Sequence, residues 1–245
     1  MKTKEDLTFH KTRSITAIVH AAYQLYTDNF KRLFRASWII AIIYALAFSM
    51  ATYLLIRDVL PIIITLPYIP SVDWIKVLES CWLAIVAFFL FVLAALLLAS
   101  TAFGACRIHK ATGYIERPVH WWGKWPGIWY IKTLYKSFIY LFNPGLRYFG
   151  SLFTTALITM LFTLVLTFFC ELPAIIIGIA NIKAYAGLAY GDPLGMPDYL
   201  GKLTIGAFFI AGFIQAYVHL ASIFPFYYAY GNIETQEKER KQIKI

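Results

Sequence analysis

Residues 120–138 read HWWGKWPGIWYIKTLYKSF, with four tryptophans and three lysines in one short stretch. Whether this segment crosses a bilayer, lies on it or sits in a water-soluble core decides how the whole chain is drawn. Crossing would bring Lys124, Lys132 and Lys136 toward hydrocarbon, where each costs roughly 2.5–3.5 kcal/mol at a helix centre. Lying on the surface satisfies every residue type. From Pro126 onward, Ile128, Ile131, Leu134, Tyr135, Phe138 and Ile139 fall on one side of a helix. Lys132 and Lys136 share another side and can reach headgroups. Trp121, Trp122, Trp125 and Trp129 suit the interfacial aromatic belt. The expectation is an in-plane amphipathic helix over residues 126–142, stopped by Asn143, Pro144 and Gly145.

The rest of the chain supplies the membrane. Of 245 residues, 60% are hydrophobic and 14% charged, too few charges to coat a protein of this size in water. Four long apolar runs carry no Lys, Arg, Asp or Glu: residues 36–56, 82–104, 151–170 and 204–230. Each is long enough to cross about 30 Å of hydrocarbon as a helix. The first thirty-five residues hold seven Lys/Arg and no apolar signal core, so 36–56 is expected to be a retained anchor.

Charge sets the expected orientation. Four spans place eighteen Lys/Arg on the side of residues 1–35, 105–150 and 231–245, against four on the other side. By the positive-inside rule both termini are then cytoplasmic, in a cytoplasmic (inner) membrane. The net charge of +9 follows from this topology and suits anionic lipid headgroups. The cations are spread over three segments and match no nucleic-acid module, so nucleic acid is not expected as a partner.

The chain also looks duplicated. Ile15, Ile18, Val19, Ala22, Tyr23, Tyr26 and Phe30 form an apolar stripe ahead of the first span. A shift of 114 positions aligns Tyr26 with Tyr140, Asn29 with Asn143, Phe34 with Tyr148 and Ser37 with Ser151. VLPIIITL, with Pro61, follows the first span; LPAIIIGI, with Pro173, follows the third. The expected fold is all-α integral membrane, with four transmembrane helices in two tandem, parallel pseudo-repeats, 1–118 and 119–245. Each half would run surface helix, span, apolar outer loop, span, with a basic tail after the last. Re-entrant outer loops or a six-span arrangement are the alternatives.

Candidate sites are few. Gln215 and His219 stand one turn apart in the fourth span, where polar residues face a bundle interior. They would line a substrate or proton path, or form an interhelical hydrogen bond to a threonine of the third span. Thr155, Thr159 and Thr163 make a polar stripe suited to helix packing or to a pore. Arg57, Asp58 and Glu171 are expected at the outer interface, with an Arg57–Glu171 pair conceivable. His109 and His120 are expected in solvent, within a basic loop. Cys81 and Cys170 lie where a disulfide is topologically allowed. No Cys-x-x-Cys, His-x-x-x-His, P-loop, GxSxG or HExxH pattern occurs, and neither metal nor cofactor is expected.

The stretch AAYQLYTDNFKRLFRASW, residues 21–38, runs an amphipathic helix through an aromatic-x-x-Asn-Phe element into a span. It resembles the opening of bacterial multispan proteins similar to the membrane domain attached to some glycerophosphoryl diester phosphodiesterases. The resemblance covers about fifty residues and implies a membrane module; the chain lacks room for the phosphodiesterase barrel and its carboxylates. The expected role is a non-enzymatic scaffold or accessory subunit binding lipids, partner helices or a second copy. The alternative is a small transporter or permease subunit with its path on the pseudo-two-fold axis. If the topology holds, a membrane-impermeant amine reagent added from outside should leave Lys132 and both chain ends unlabelled until the membrane is opened. Labelling of Lys132 from outside would reverse the drawing.

Overall fold

The computed structural model describes residues 8–9, 11–65, 74–113, 115, 145–191 and 197–243. Those residues contain helices and no strand. The helices are α1 (Ile15–Asp28), α2 (Phe30–Leu54), α3 (Leu60–Thr65), α4 (Trp74–Thr112), α5 (Gly145–Ala189) and α6 (Asp198–Ile243). A π-helical turn, Leu55–Val59, joins α2 to α3. Four stretches are long and apolar enough to cross a membrane: Phe30–Ile64, Cys81–Thr112, Tyr148–Leu188 and Tyr199–Ile243. Large apolar side chains lie open on them, such as Phe89 at 66%, Met160 at 69% and Ile210 at 62% exposure. Surface of this kind is stable against lipid and not against water, so the chain is a multi-pass membrane protein. The tryptophan–lysine segment, with Trp121, Trp122, Lys124, Trp125, Trp129, Lys132 and Lys136, lies outside the described residues, as does the helix expected over 126–142.

All four spans outrun the expected boundaries, and the expected loops after the first and third spans are helical over 57–65 and 171–189. After the first span the helix carries on through Arg57, Asp58 and Pro61 to Thr65. The π turn is what permits this. Leu60 N–H bonds back to the Leu55 carbonyl, five residues away. The wider ring makes room for Pro61, whose own ring would clash with a carbonyl in a regular α-helix. After the third span, α5 continues through Glu171 and Pro173 for 45 residues in all, about 67 Å of rise. Proline is tolerated within membrane helices because neighbouring groups take up the freed carbonyl. The basic tail is helical too, as the last turns of α6.

Helix ends follow local chemistry. Ser14 caps α1, its hydroxyl accepting from Ala17 N–H at 3.4 Å. Asn29 closes the helix by donating its side-chain amide to the Leu25 carbonyl at 2.9 Å. Gly113 (φ 75°) and Gly191 (φ 84°) end α4 and α5 in the left-handed conformation that glycine adopts without strain.

Two compact units share the chain, each drawing on both halves of the sequence. The first comprises Met1–Trp38, Leu97–Leu166 and Val218–Ile245. Here α1 buries Ile18, Ala21, Ala22, Leu25 and Tyr26. The buried face is thus rotated from the expected stripe: Ala21 and Leu25 join it, and Phe30 is exposed. Tyr26 packs on Phe224 (5.6 Å between ring centres) and Tyr23 on Phe162 (4.8 Å). The Arg32 guanidinium donates to the Ile115 carbonyl.

The second unit comprises Ile39–Leu96 and Thr167–Tyr217. Its aromatic centre joins Tyr44 and Phe48 of α2 to Phe91 of α4 (5.1 and 5.5 Å) and Phe208 of α6 (Phe48–Phe208, 6.1 Å). Leu54, Ala84 and Ala87 close α2 on α4. Small residues let α2 approach α6, the usual device where lipid offers no hydrophobic drive. A Cβ on Gly212 would meet Phe48 at 2.7 Å and the Ala45 backbone at 3.2 Å. Gly212→Leu is therefore expected to cost about 1–3 kcal/mol by overpacking. Gly206→Leu, at a site with nothing within 4 Å, should leave the unfolding midpoint nearly unchanged in the same detergent titration.

Candidate functional site

The threonine stripe is the seam along which α5 meets the protein. In the first unit the buried residues of α5 are Thr155 and Thr159. Their hydroxyls donate to the Ser151 and Thr155 carbonyls of their own helix, at 2.8 and 2.7 Å. Bonded this way, a hydroxyl can be buried without a partner helix to satisfy it. Thr163 is half-buried and faces the Tyr23 hydroxyl of α1. The rest of α5 is open: 6% of the residues in its most apolar stretch are buried, against 44% for α6.

Farther along, two hydrogen bonds lace α5 to α6. Thr167 donates to Gln215 Oε1 at 3.1 Å, and Asn181 Nδ2 donates to Thr204 Oγ1 at 2.8 Å. Residue 167 pairs with 215 and residue 181 with 204, so the two helices run antiparallel. Asn181 also reaches the Ile177 carbonyl and Thr204 the Leu200 carbonyl, at 2.8 and 2.7 Å. Ser49 of α2 donates to the Ile205 carbonyl at 2.7 Å. Gln215 thus takes the interhelical bond to a third-span threonine that its position allowed. His219, one turn on, is half-buried, and its carbonyl accepts from Ser222 at 2.8 Å.

The helix carries Glu171 past the end expected for the third span. It falls between the two hydrogen-bonded rungs, one turn from Thr167 on the same side of α5. Tyr44, fully buried on α2, is within electrostatic reach of its carboxylate. One end of this unit carries Arg57 and Asp58, whose ion pair measures 2.6 Å, and Tyr53, whose ring touches Gly201 beside Lys202. Tyr44 lies about 20 Å of helix rise inward from Arg57, and the Gln215 rung about 20 Å inward from Lys202. Glu171 therefore falls inside the third candidate span, Tyr148–Leu188, rather than at its end, and Arg57 pairs with its neighbour Asp58 rather than with Glu171. An ionised side chain at a helix centre costs about 2.5–3.5 kcal/mol. Among the described residues no cation forms an ion pair with Glu171, and its side chain is half-buried.

The first unit holds a polar clasp that sequence reasoning missed. His109, expected in solvent, is 1% exposed, because α4 stays helical to Thr112 and carries it against α6. Its Nδ1 shares a 2.9 Å hydrogen bond with the Tyr227 hydroxyl, while Nε2 meets no partner among the described residues. The N-terminal segment closes over this pair. Phe9 packs tilted against Tyr227 (4.7 Å between ring centres) and fills the space above Gly231, where a Cβ would meet it at 2.7 Å. Arg13 N–H donates to Asn232 Oδ1 at 2.8 Å, and its guanidinium lies 5.0 Å from the Tyr228 ring centre. Lys110 pairs with Glu234 at 2.8 Å and sits 4.6 Å from the Phe9 ring. His120 lies outside the described residues.

Cys81, Cys106 and Cys170 are free thiols, and Cys81 and Cys170 form no disulfide. Among the described residues no three His, Cys, Asp or Glu side chains come together as a metal centre requires. No protein-family model matches the chain, and neither a curated protein nor a solved structure matches it. Thr167 and Gln215 provide a direct measure of the lacing. In a double-mutant cycle of Thr167→Val and Gln215→Leu, the coupling should be about 0.6 kcal/mol, the average for hydrogen bonds between membrane helices, and no more than about 1.7 kcal/mol. Additive losses would show that the bond contributes nothing.

Proposed function

We propose that the protein is a non-enzymatic scaffold or accessory subunit of a bacterial cytoplasmic membrane, with both termini in the cytoplasm, holding partner helices or lipids. One observation carries the reading: α5 is the least covered span, with 6% of the residues in its most apolar stretch buried. Its polar seam is turned inward, and its remaining circumference offers apolar surface such as Phe153, Leu164, Phe169 and Ile176. The polar side chains placed between helices support the same reading. Gln215, Asn181, Thr204 and Ser49 bond to neighbouring helices, and Thr155 and Thr159 bond to their own. The first four hold helices together, and the two threonines are satisfied within their own helix, so none of them needs a solvated path. Amphipathic segments ahead of each pair of spans, α1 among them, fit a module whose inner face grips lipid.

Extraction into lipid-preserving polymer discs followed by native mass spectrometry tests this. The expected result is the 28.0 kDa chain in a complex of fixed stoichiometry with another subunit, a second copy or retained lipid. A bare monomer with no bound lipid overturns it.

A further inference from the structure

Glu171 gives the open helix a chemical address. Phe168, Leu172, Ile175 and Ile179 surround it at three- and four-residue spacing, and each is exposed, at 53%, 37%, 37% and 50%. That spacing is the pattern by which one helix receives another. Glu171 borders the buried seam formed by Ala174 and Asn181, so its carboxylate lies at the margin between protein and lipid. It is several turns deeper than Arg57 and Lys202, and among the described residues no cation pairs with it. Apolar lipid tails cannot satisfy a carboxylate at that depth, whereas a basic side chain on an adjacent helix can.

We infer that the Phe168–Ile179 face of α5 docks a transmembrane helix carrying a lysine or arginine at the depth of Glu171, with Glu171 as the intramembrane counter-charge. The inference rests on the scaffold reading and adds the chemistry of the partner. The apolar stripe supplies contact area that any hydrophobic helix could use. The carboxylate supplies the selection, because a helix with leucine or glutamate at that level leaves it unpaired or repelled.

The test uses the full chain, dye-labelled at its C-terminus, in phosphatidylcholine vesicles. Its partners are synthetic leucine-alanine single-span peptides bearing the acceptor dye. One peptide carries a central lysine, one a central leucine, one a central glutamate, and one a lysine a turn from its end. Energy transfer should show the central-lysine peptide binding roughly tenfold more tightly than the other three, the equivalent of about 1.4 kcal/mol. The Glu171→Gln protein should erase that preference, and Asp58→Asn, whose charge is already paired with Arg57, should keep it. Comparing the four peptides on the unaltered protein decides the matter even if Glu171→Gln fails to insert. Equal binding of the lysine and leucine peptides, or an unchanged preference in inserted Glu171→Gln, overturns the inference. If the native complex of the preceding section is present but the lysine preference is not, the scaffold reading stands and this one falls. A lysine preference in a protein that purifies as a bare monomer does the reverse: the counter-charge stands and the scaffold reading falls.

Discussion

Every polar group carried into hydrocarbon must find its partner inside the protein, and the contact between α5 and α6 shows how this constraint shapes the chain. Two side-chain hydrogen bonds, Thr167 to Gln215 and Asn181 to Thr204, fix the antiparallel register of that pair. The same rule decides which way α5 faces. Its buried residues are threonine, alanine and asparagine, and most of its exposed large ones are phenylalanine, leucine and isoleucine. In water the pattern would be inverted. Small residues complete the arrangement, since Gly212 lets α2 come within contact of α6 and bring Ser49 to the Ile205 carbonyl.

The existence of the spans was legible in the sequence, because some twenty consecutive uncharged apolar residues have one stable conformation in lipid. Their ends were not. Glu171 with Pro173, and Arg57 with Pro61, read as stop signals, each a charge followed by a proline. Lipid weakens that reading. A proline costs less where a π turn widens the helix, as at Leu55–Val59, or where neighbouring groups take up the freed carbonyl. A charge can be carried deeper when it sits beside protein. A better signal was present: Thr163, Thr167, Cys170, Ala174, Gly178 and Asn181 recur at three- and four-residue spacing straight through the supposed loop. Followed to its end, that small-and-polar period would have extended the helix to Asn181 and placed Glu171 within it.

Gln215 was legible as a polar residue in a span, and its threonine partner was among the roles its position allowed. His109 was not, because its setting is created by contacts far apart in sequence. Local composition, with Arg107 and Lys110 on either side, points to solvent. The burial comes with Tyr227 and Tyr228 of α6, the former itself covered by Phe9 of the N-terminal segment, and no periodicity in α4 encodes it.

The clasp in the first unit obeys the same rule with charges in place of amides. Lys110 is paired with Glu234, which also takes Lys238 at 3.1 Å, and Arg13 lies against an aromatic face. Cations held against rings and carboxylates are partly discharged by protein and need less water. That frees the lower turns of α6 to carry buried Asn232 and Ile233 beside glutamate and lysine without opening the helix to solvent. Glu171 is where the compensation stops short. Arg57, Lys110 and Glu234 each have an opposite charge within 2.8 Å, whereas Glu171 has none among the described residues, and it lies on the helix with the most open surface. An unpaired carboxylate beside open apolar surface is what the proposed basic partner helix would complement.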